Sequence, residues 1–213
     1  MHSNYKDTFL KSIPSGIILG LACAVYLAVE NHVVGSFLFV TGLFTIYSLD
    51  FYLYTGKVGF LLEHRSPLKI LIIWLGNLVG TFFTALLVAN TRLVKNEHTM
   101  EYLHKYVETK TTDNLLSIFI LGAFCGIMMY IAAKCYILTK DTNNSIGGYF
   151  GLVLCVMFFL LGGFEHSIAN MFYFNLAASY NIQTLVALIV VTLGNAVGGI
   201  MFPFIVKFTK KEH

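Results

Sequence analysis

Residues 147–174 read GGYFGLVLCVMFFLLGGFEHSIANMFYF. The run is apolar and long enough to cross about 30 Å of hydrocarbon, which takes roughly 20 residues as a helix. It is interrupted at Gly162-Gly163-Phe164-Glu165-His166-Ser167-Ile168-Ala169-Asn170, where two glycines stand beside a carboxylate, an imidazole and an amide. Unwound backbone at membrane depth is tolerated only against protein or a water-filled cavity, and ionisable groups there are costly. The stretch therefore predicts a broken membrane helix that faces an internal site.

A second interruption, Leu53-Tyr54-Thr55-Gly56-Lys57, falls inside the apolar stretch Val33 to Leu62. Four further stretches qualify as spans: Ile13 to Val29, Ile70 to Asn90, Leu115 to Leu138 and Leu185 to Val206. An all-α integral membrane protein is expected, with six spans in one domain over 1–213 and the second and fifth broken. In the third span Leu75-Gly76-Asn77-Leu78-Val79-Gly80 is echoed by Leu193-Gly194-Asn195-Ala196-Val197-Gly198 in the sixth. Three spans per half is odd, so the second half enters the membrane from the opposite side. The halves, about 13–92 and 115–207, then form inverted repeats with a shared site at their corresponding breaks. Gly76, Asn77, Gly80, Gly194, Asn195 and Gly198 are read as helix-packing positions, because Gly-x-x-x-Gly lets backbones approach closely. Chance recurrence of a common packing motif is the alternative.

The 213 residues are 57% hydrophobic and 12% charged, with mean hydropathy +0.73, against roughly 25% charged in soluble domains. A water-soluble globule is excluded. The net charge is +3, and the charges cluster between apolar runs instead of on one basic face, so nucleic acid is excluded as a partner. Cys23, Cys125, Cys135 and Cys155 lie in apolar runs without metal-ligand spacing and are read as small buried thiols. No metal and no cofactor are expected. The polar start, MHSNYKDTFLKSIPSG, leads into a span too late and too long for a cleaved signal, so the N-terminus is expected to be kept.

With the N-terminus inside, Lys6, Lys11, Arg65, Lys69, Lys140, Lys207, Lys210 and Lys211 lie inside, and Arg92, Lys95, Lys105 and Lys110 outside. The excess places both termini in the cytoplasm of a multi-pass protein of the cell membrane. The outer four share Thr91 to Asn114 with Glu97, Glu101, Glu108 and Asp113, a loop read as a solvated or short helical cap.

Of seven histidines only His166 lies deep in a span; His2, His32, His64, His98, His104 and His213 lie at ends or in loops. Imidazole titrates near neutrality and can give a hydrogen bond or a proton to an anion; a core histidine satisfied by a carbonyl is the alternative. Asn170 stands on the same break. Glu165 is read as tying down the broken helix, with Gly163 and Gly56 as structural residues at the two breaks. Thr55 offers a hydroxyl on the other break, or a cap for its half-helix. Phe39, Phe159, Leu43 and Leu53, in the broken spans, form either narrow apolar constrictions or ordinary core. Lys134, inside the fourth span, is either a functional cation or a side chain snorkelling from a helix end. His-Glu-x-x-His, Gly-x-Ser-x-Gly, a P-loop and a dinucleotide fingerprint are missing, so no catalytic residue is expected.

Gly163 to Met171 resembles, almost unchanged, the fifth-helix signature of the formate/nitrite transporter family of small-anion channels. Tyr54-Thr55-Gly56 and the two Leu-Gly-Asn repeats support the resemblance, which covers nearly the whole chain. It implies an aquaporin-like protomer, a bacterial homopentamer in the lipid bilayer, and a separate anion path in each subunit. It also implies His166 as the central pore histidine with Thr55 as its partner, Phe39 and Phe159 at the outer constriction, and Leu43, Leu53 and Tyr54 at the cytoplasmic one. The substrates implied are small monovalent anions of weak acids: formate, nitrite, hydrosulfide, and in some members acetate or lactate. Four positions depart from the family pattern. Tyr130 stands where many members have asparagine, Asn114 falls near the place of the vestibular lysine, Lys57 stands where many have asparagine, and Tyr52 stands at a usual acidic position, with Asp50 two residues earlier. Lys134, one turn beyond Tyr130, is expected to supply the displaced positive potential.

A bare anion crosses apolar constrictions at high cost because its hydration is lost. Protonation inside, by His166 or by water near it, gives a neutral acid that crosses cheaply, so flux should rise as external pH falls; protonated His166 closing the path through the Thr55 loop is the opposite reading. Three rivals stand beside transport of an anion, with or without a proton. An aquaporin-type pore for neutral solutes normally carries Asn-Pro-Ala, whereas Pro14, Pro67 and Pro203 lie elsewhere. A non-transporting membrane subunit and a membrane enzyme using His166 and Glu165 are the others.

Overall fold

The computed structural model describes residues 4–142 and 146–209; His2, Lys210, Lys211 and His213 of the reading above lie outside them. The described residues form helices and turns without a strand. In chain order the helices are α1 (Tyr5–Ala28), α2 (His32–Ser48), the short α3 (Tyr54–Val58) and α4 (Leu61–His64), and α5 (Pro67–Ala89). A 3₁₀ turn (Arg92–Lys95) leads to α6 (Glu97–Thr112), followed by α7 (Leu115–Thr139), α8 (Ile146–Leu161), α9 (Ser167–Leu176) and α10 (Ile182–Thr209).

Local chemistry sets many of these starts. Asn4, Asn31, Asn96 and Asn114 cap α1, α2, α6 and α7 by accepting from backbone N–H groups of the first turn. Pro67 takes the first position of α5, where its missing N–H costs nothing. Helices α1, α5, α7 and α10 are long and apolar enough to cross a membrane, while α2 and α8 have 17 and 16 residues. Their exposed side chains include Leu71, Phe82 and Leu86 on α5 and Leu185, Ile189 and Leu193 on α10, an apolar exterior suited to lipid.

The stretches expected as the second and fifth spans are each divided. The first break is at Leu49–Leu53, earlier than expected, because α2 ends at Ser48 and Tyr54, Thr55, Gly56 and Lys57 are already in α3. The second is Gly162–His166, with Ser167 to Asn170 in the first turn of α9. Both breaks begin with the same turn. Phe51 N–H donates to Ile46 O at 2.9 Å and Asp50 N–H to Tyr47 O at 3.3 Å; Phe164 N–H donates to Phe159 O at 2.9 Å and Gly163 N–H to Leu160 O at 3.1 Å. This paired bonding is a Schellman ending, and its left-handed residue is Asp50 (φ 50°) in one case and Gly163 (φ 66°) in the other.

Helix α1 packs along α5, and α7 along α10. A Cβ on Gly80 would run into Ile13 O, and one on Gly198 into Ala123 O, so at both places two helix backbones lie too close for a side chain. The short helices cross over: α3 packs against α7 and α10, and α9 against α5 and α1. Each short helix is thus seated in the opposite half of the chain.

Two further expectations are sharpened. Of the two readings of the segment after α5, a solvated or a short helical cap, the helical one holds: α6 is a 16-residue helix whose Thr99, Leu103, Val107 and Lys110 form one buried stripe. Of the cysteines, Cys23 and Cys125 are buried but Cys135 and Cys155 are half-buried; all four are free thiols.

Candidate functional site

The crossing of α3 and α9 brings Thr55 and His166, 111 residues apart in sequence, to a Thr55 Oγ1 to His166 Nε2 distance of 2.9 Å, both buried. His166 is the N-cap of α9, and its Nδ1 accepts the Ala169 backbone N–H at 3.2 Å. The donor to Nδ1 assigns the ring proton to Nε2, which therefore donates to Thr55 Oγ1. The Thr55 O–H is left with no acceptor among the described residues. Thr55 lies inside α3 and does not cap it; the cap position is Leu53, which makes no side-chain cap bond.

Two asparagines hold the breaks. Asn77 Oδ1 accepts Tyr54 N–H at 2.9 Å, while its Nδ2 donates to Ser12 O at 2.8 Å and Tyr52 O at 2.9 Å. Asn195 Oδ1 accepts Ser167 N–H at 2.9 Å, and its Nδ2 donates to Gly122 O at 2.8 Å and Glu165 O at 2.7 Å. Each amide therefore satisfies both sides of a break and ties it to the helix that packs alongside, α1 or α7. These asparagines, read from sequence as packing residues, are hydrogen-bonding clamps for backbone groups that lipid cannot satisfy.

Glu165 is buried and fully engaged. Its Oε1 and Oε2 accept Lys110 Nζ at 2.7 and 2.8 Å, and Oε2 also accepts Asn170 Nδ2 at 2.7 Å. A carboxylate out of water needs such a partner, because unpaired burial of charge is very costly. These bonds join the break before α9 to α6 through Lys110 and to the first turn of α9 through Asn170. Asn170 Oδ1 and Ser167 Oγ are buried without a hydrogen-bond partner among the described residues.

The cation comes from a place the sequence reading missed. Lys110 belongs to the segment taken for a cap, yet lies at the buried end of the α6 stripe. Lys134, expected to supply that potential, is half-exposed on α7 and lies 3.8 Å from Glu63 Oε1, so its charge is met at the surface. Asn114, near which the vestibular lysine was sought, caps α7. The available signal was the apolar spacing Leu103, Val107, Lys110 and the need of an intramembrane glutamate for a cation.

Phe39, Leu43, Leu53 and Phe159 are all fully buried. The Phe39 and Phe159 rings meet edge to face at 6.2 Å, and Phe159 stacks on His166 at 5.7 Å. Tyr54 is buried with its hydroxyl donating to Thr192 O at 2.9 Å. Lys57 lies with its Nζ 4.6 Å from the Tyr52 ring centre, and Lys11 approaches the same ring at 5.3 Å while pairing with Asp50 at 2.9 Å. Gly56 lies against Tyr47, whose hydroxyl would meet any Cβ there. No group of three His, Cys, Asp or Glu side chains converges among the described residues to hold a metal ion.

The nitrite transporter NirC of Salmonella typhimurium is 33% identical over 138 residues, covering 61% of this chain and 49% of the relative. The formate channel FocB of Escherichia coli is 25% identical over 186 residues, covering 78% and 64%. The match thus spans about half the length of the first relative. A solved pentameric formate channel with formate bound has the same fold, with a TM-score of 0.83 at 22% identity over 98% of both chains. A solved FNT family ion channel gives 0.75 at 24% identity over 93% of this chain and 88% of that one. The formate/nitrite transporter family model matches residues 1–209, and so this chain belongs to the formate/nitrite transporter family.

Proposed function

We propose that each protomer carries a small monovalent weak-acid anion, of the formate, nitrite or hydrosulfide class, across the cytoplasmic membrane of a bacterium. The observation that carries this reading is the buried Thr55 and His166 pair, whose Thr55 O–H is a spare donor and whose imidazole stacks on the apolar Phe159 ring. The names of the relatives, transporters of nitrite and channels for formate, support it. In this reading the second and fifth spans are the broken helices α2–α3 and α8–α9, so six spans form two inverted halves with both termini cytoplasmic. The paired Schellman turns and the paired asparagine clamps support that symmetry.

A homopentamer is proposed by likeness to the pentameric formate channel. An apolar groove of about 780 Å³ between α5, α9 and α10, lined by Leu78, Phe82, Phe174 and Leu185, offers a surface for a neighbouring copy.

Within the path the charges of Lys110 and Glu165 cancel locally, so the anion meets neutral donors at the centre. The Thr55 O–H turns toward the anion while His166 keeps its Nε2–H on Thr55, which polarises that hydroxyl. An anion that takes up a proton here crosses Phe39 and Phe159 as a neutral acid. Protonating His166 itself has a structural consequence, because a proton on Nδ1 removes the acceptor for Ala169 N–H and uncaps α9. The proton for the substrate is therefore assigned to water or bulk acid, with His166 as a hydrogen-bond donor.

The test is stopped-flow uptake of formate, nitrite and hydrosulfide into liposomes holding the intact oligomer at two pH values. Flux of at least one anion that rises at the lower external pH and falls in His166→Asn is expected. No flux of any of them in assembled protein would overturn the reading.

A further inference from the structure

Two tyrosines outside the mechanism above meet beside the apolar rings. Tyr26, on α1, is only 3% exposed; Tyr106, on α6, lies one helical turn before Lys110. Their hydroxyl oxygens are 3.1 Å apart and their rings pack edge to face at 6.2 Å. Tyr26 also packs edge to face on Phe39 at 6.2 Å, so a row of rings runs from the hydroxyl pair through Phe39 and Phe159 to His166. Lys110 Nζ stands 5.2 Å from the Tyr106 ring centre. Burial pushes the Tyr106 phenol well above its ordinary range, and the bond to Tyr26 adds to this, so it remains a donor at neutral pH.

Two phenols carry two O–H protons, and their mutual bond uses one. Among the described residues the other has no acceptor. Lys110 is already paired with Glu165 and adds no free charge, so what suits this ring pair to an anionic acceptor is its spare O–H donor, held in place by packing. An anion placed at the pair can replace the mutual bond and accept from both hydroxyls, and charge-assisted bonds are shorter and roughly twice as strong as neutral ones.

Resting on the anion-transport reading, we propose that Tyr26 and Tyr106 form a hydroxyl filter that favours oxyanions over hydrosulfide. Formate and nitrite present two compact oxygen acceptors, one for each O–H. Hydrosulfide presents a single diffuse sulfur, a weaker acceptor that gains less from the same donors. The filter acts before the apolar rings for an anion arriving from the α6 side.

The test compares the full-length protein with Tyr26→Phe, Tyr106→Phe and the double variant in liposomes, with Tyr149→Phe as a phenol control elsewhere. Phenylalanine keeps the ring contacts and removes only the hydroxyls. The half-saturating concentration of formate and nitrite should rise on the order of tenfold in each single variant. Hydrosulfide flux, corrected for leak through protein-free liposomes, should stay constant, so the oxyanion preference falls. A double variant with wild-type half-saturation and preference overturns the filter. A second readout needs no transport: formate should raise the unfolding temperature of detergent-solubilised wild type, with a weaker concentration dependence in the double variant. Equal shifts in both proteins, or none in the wild type, overturn the filter. Absent flux with a formate shift that weakens in the double variant would overturn the transport reading, and the filter with it, and leave the hydroxyl pair as an oxyanion-binding site.

Discussion

At the break after α2, Asp50 turns the chain, Asn77 holds the carbonyl of Tyr52 and the N–H of Tyr54, and Leu53 sits between them. At the break after α8 the same places belong to Gly163, Asn195, Glu165, Ser167 and His166. The backbone solution is the same in both, because an interrupted helix leaves the same unsatisfied groups wherever it occurs. The side chains are free to diverge. Leu53 stands where the other break has His166. Tyr52, lying against Lys11 and Lys57, stands where the other has Glu165, paired with Lys110. One break carries an apolar side chain and, just beyond it, a hydroxyl, the other an imidazole and an ion pair, so a single backbone plan holds two different sets of side chains.

The most damaging way to break the comparison is to remove a clamp. Asn195→Ala strands the Ser167 N–H and the Glu165 carbonyl in the interior, and Asn77→Ala strands the Tyr54 N–H and the Tyr52 carbonyl; each should cost roughly 2–6 kcal/mol at 1–3 kcal/mol per orphaned group. Thermal unfolding in detergent should show similar losses for both, and unequal losses would show that the breaks are not equivalent supports. Next is the ion pair that only the second break carries. Lys110→Met leaves Glu165 charged and buried without its cation, a loss of roughly 3–5 kcal/mol, whereas Lys110→Met with Glu165→Met should recover most of it. Stability that falls further in the double variant would mean the carboxylate has other essential partners. A smaller effect is expected of Thr55→Val, which removes the acceptor for His166 Nε2–H at about 1–3 kcal/mol and should depress flux more than it depresses stability. Smallest is the turn itself. Gly163→Ala places a Cβ in open space but at φ 66°, costing about 1–2 kcal/mol; Asp50→Gly should shift stability by under about 1 kcal/mol, since aspartate tolerates the left-handed region and its bond to Lys11 is exposed.

Much of the site was legible in order along the chain. The GGFEHSIAN stretch signalled a broken helix and a histidine at depth, and the two Leu-Gly-Asn echoes marked equivalent helices, since each departs from what lipid-facing sequence contains. The exact reach of the first break was not legible. Leu53-Tyr54-Thr55-Gly56-Lys57 contains a glycine and polar groups, yet it starts a helix, because Asp50 adopts the turn conformation and Asn77 receives the Tyr54 N–H. Lys110 was hidden for a different reason: among charged neighbours in an amphipathic segment, nothing local separates the lysine that goes inward from those that stay in solvent.

Composition and pattern by themselves determined that this chain lives in lipid, that two of its spans are interrupted, and that its two halves echo each other, because hydrophobic length and glycine spacing act locally. Which groups meet was decided by the tertiary structure alone. Seating α3 and α9 in opposite halves brings Thr55 to His166, and folding α6 inward brings Lys110 to Glu165, contacts spanning 111 and 55 residues. Their physical cause is the need of buried polar and charged groups for partners, and that need names no partner until the chain has folded.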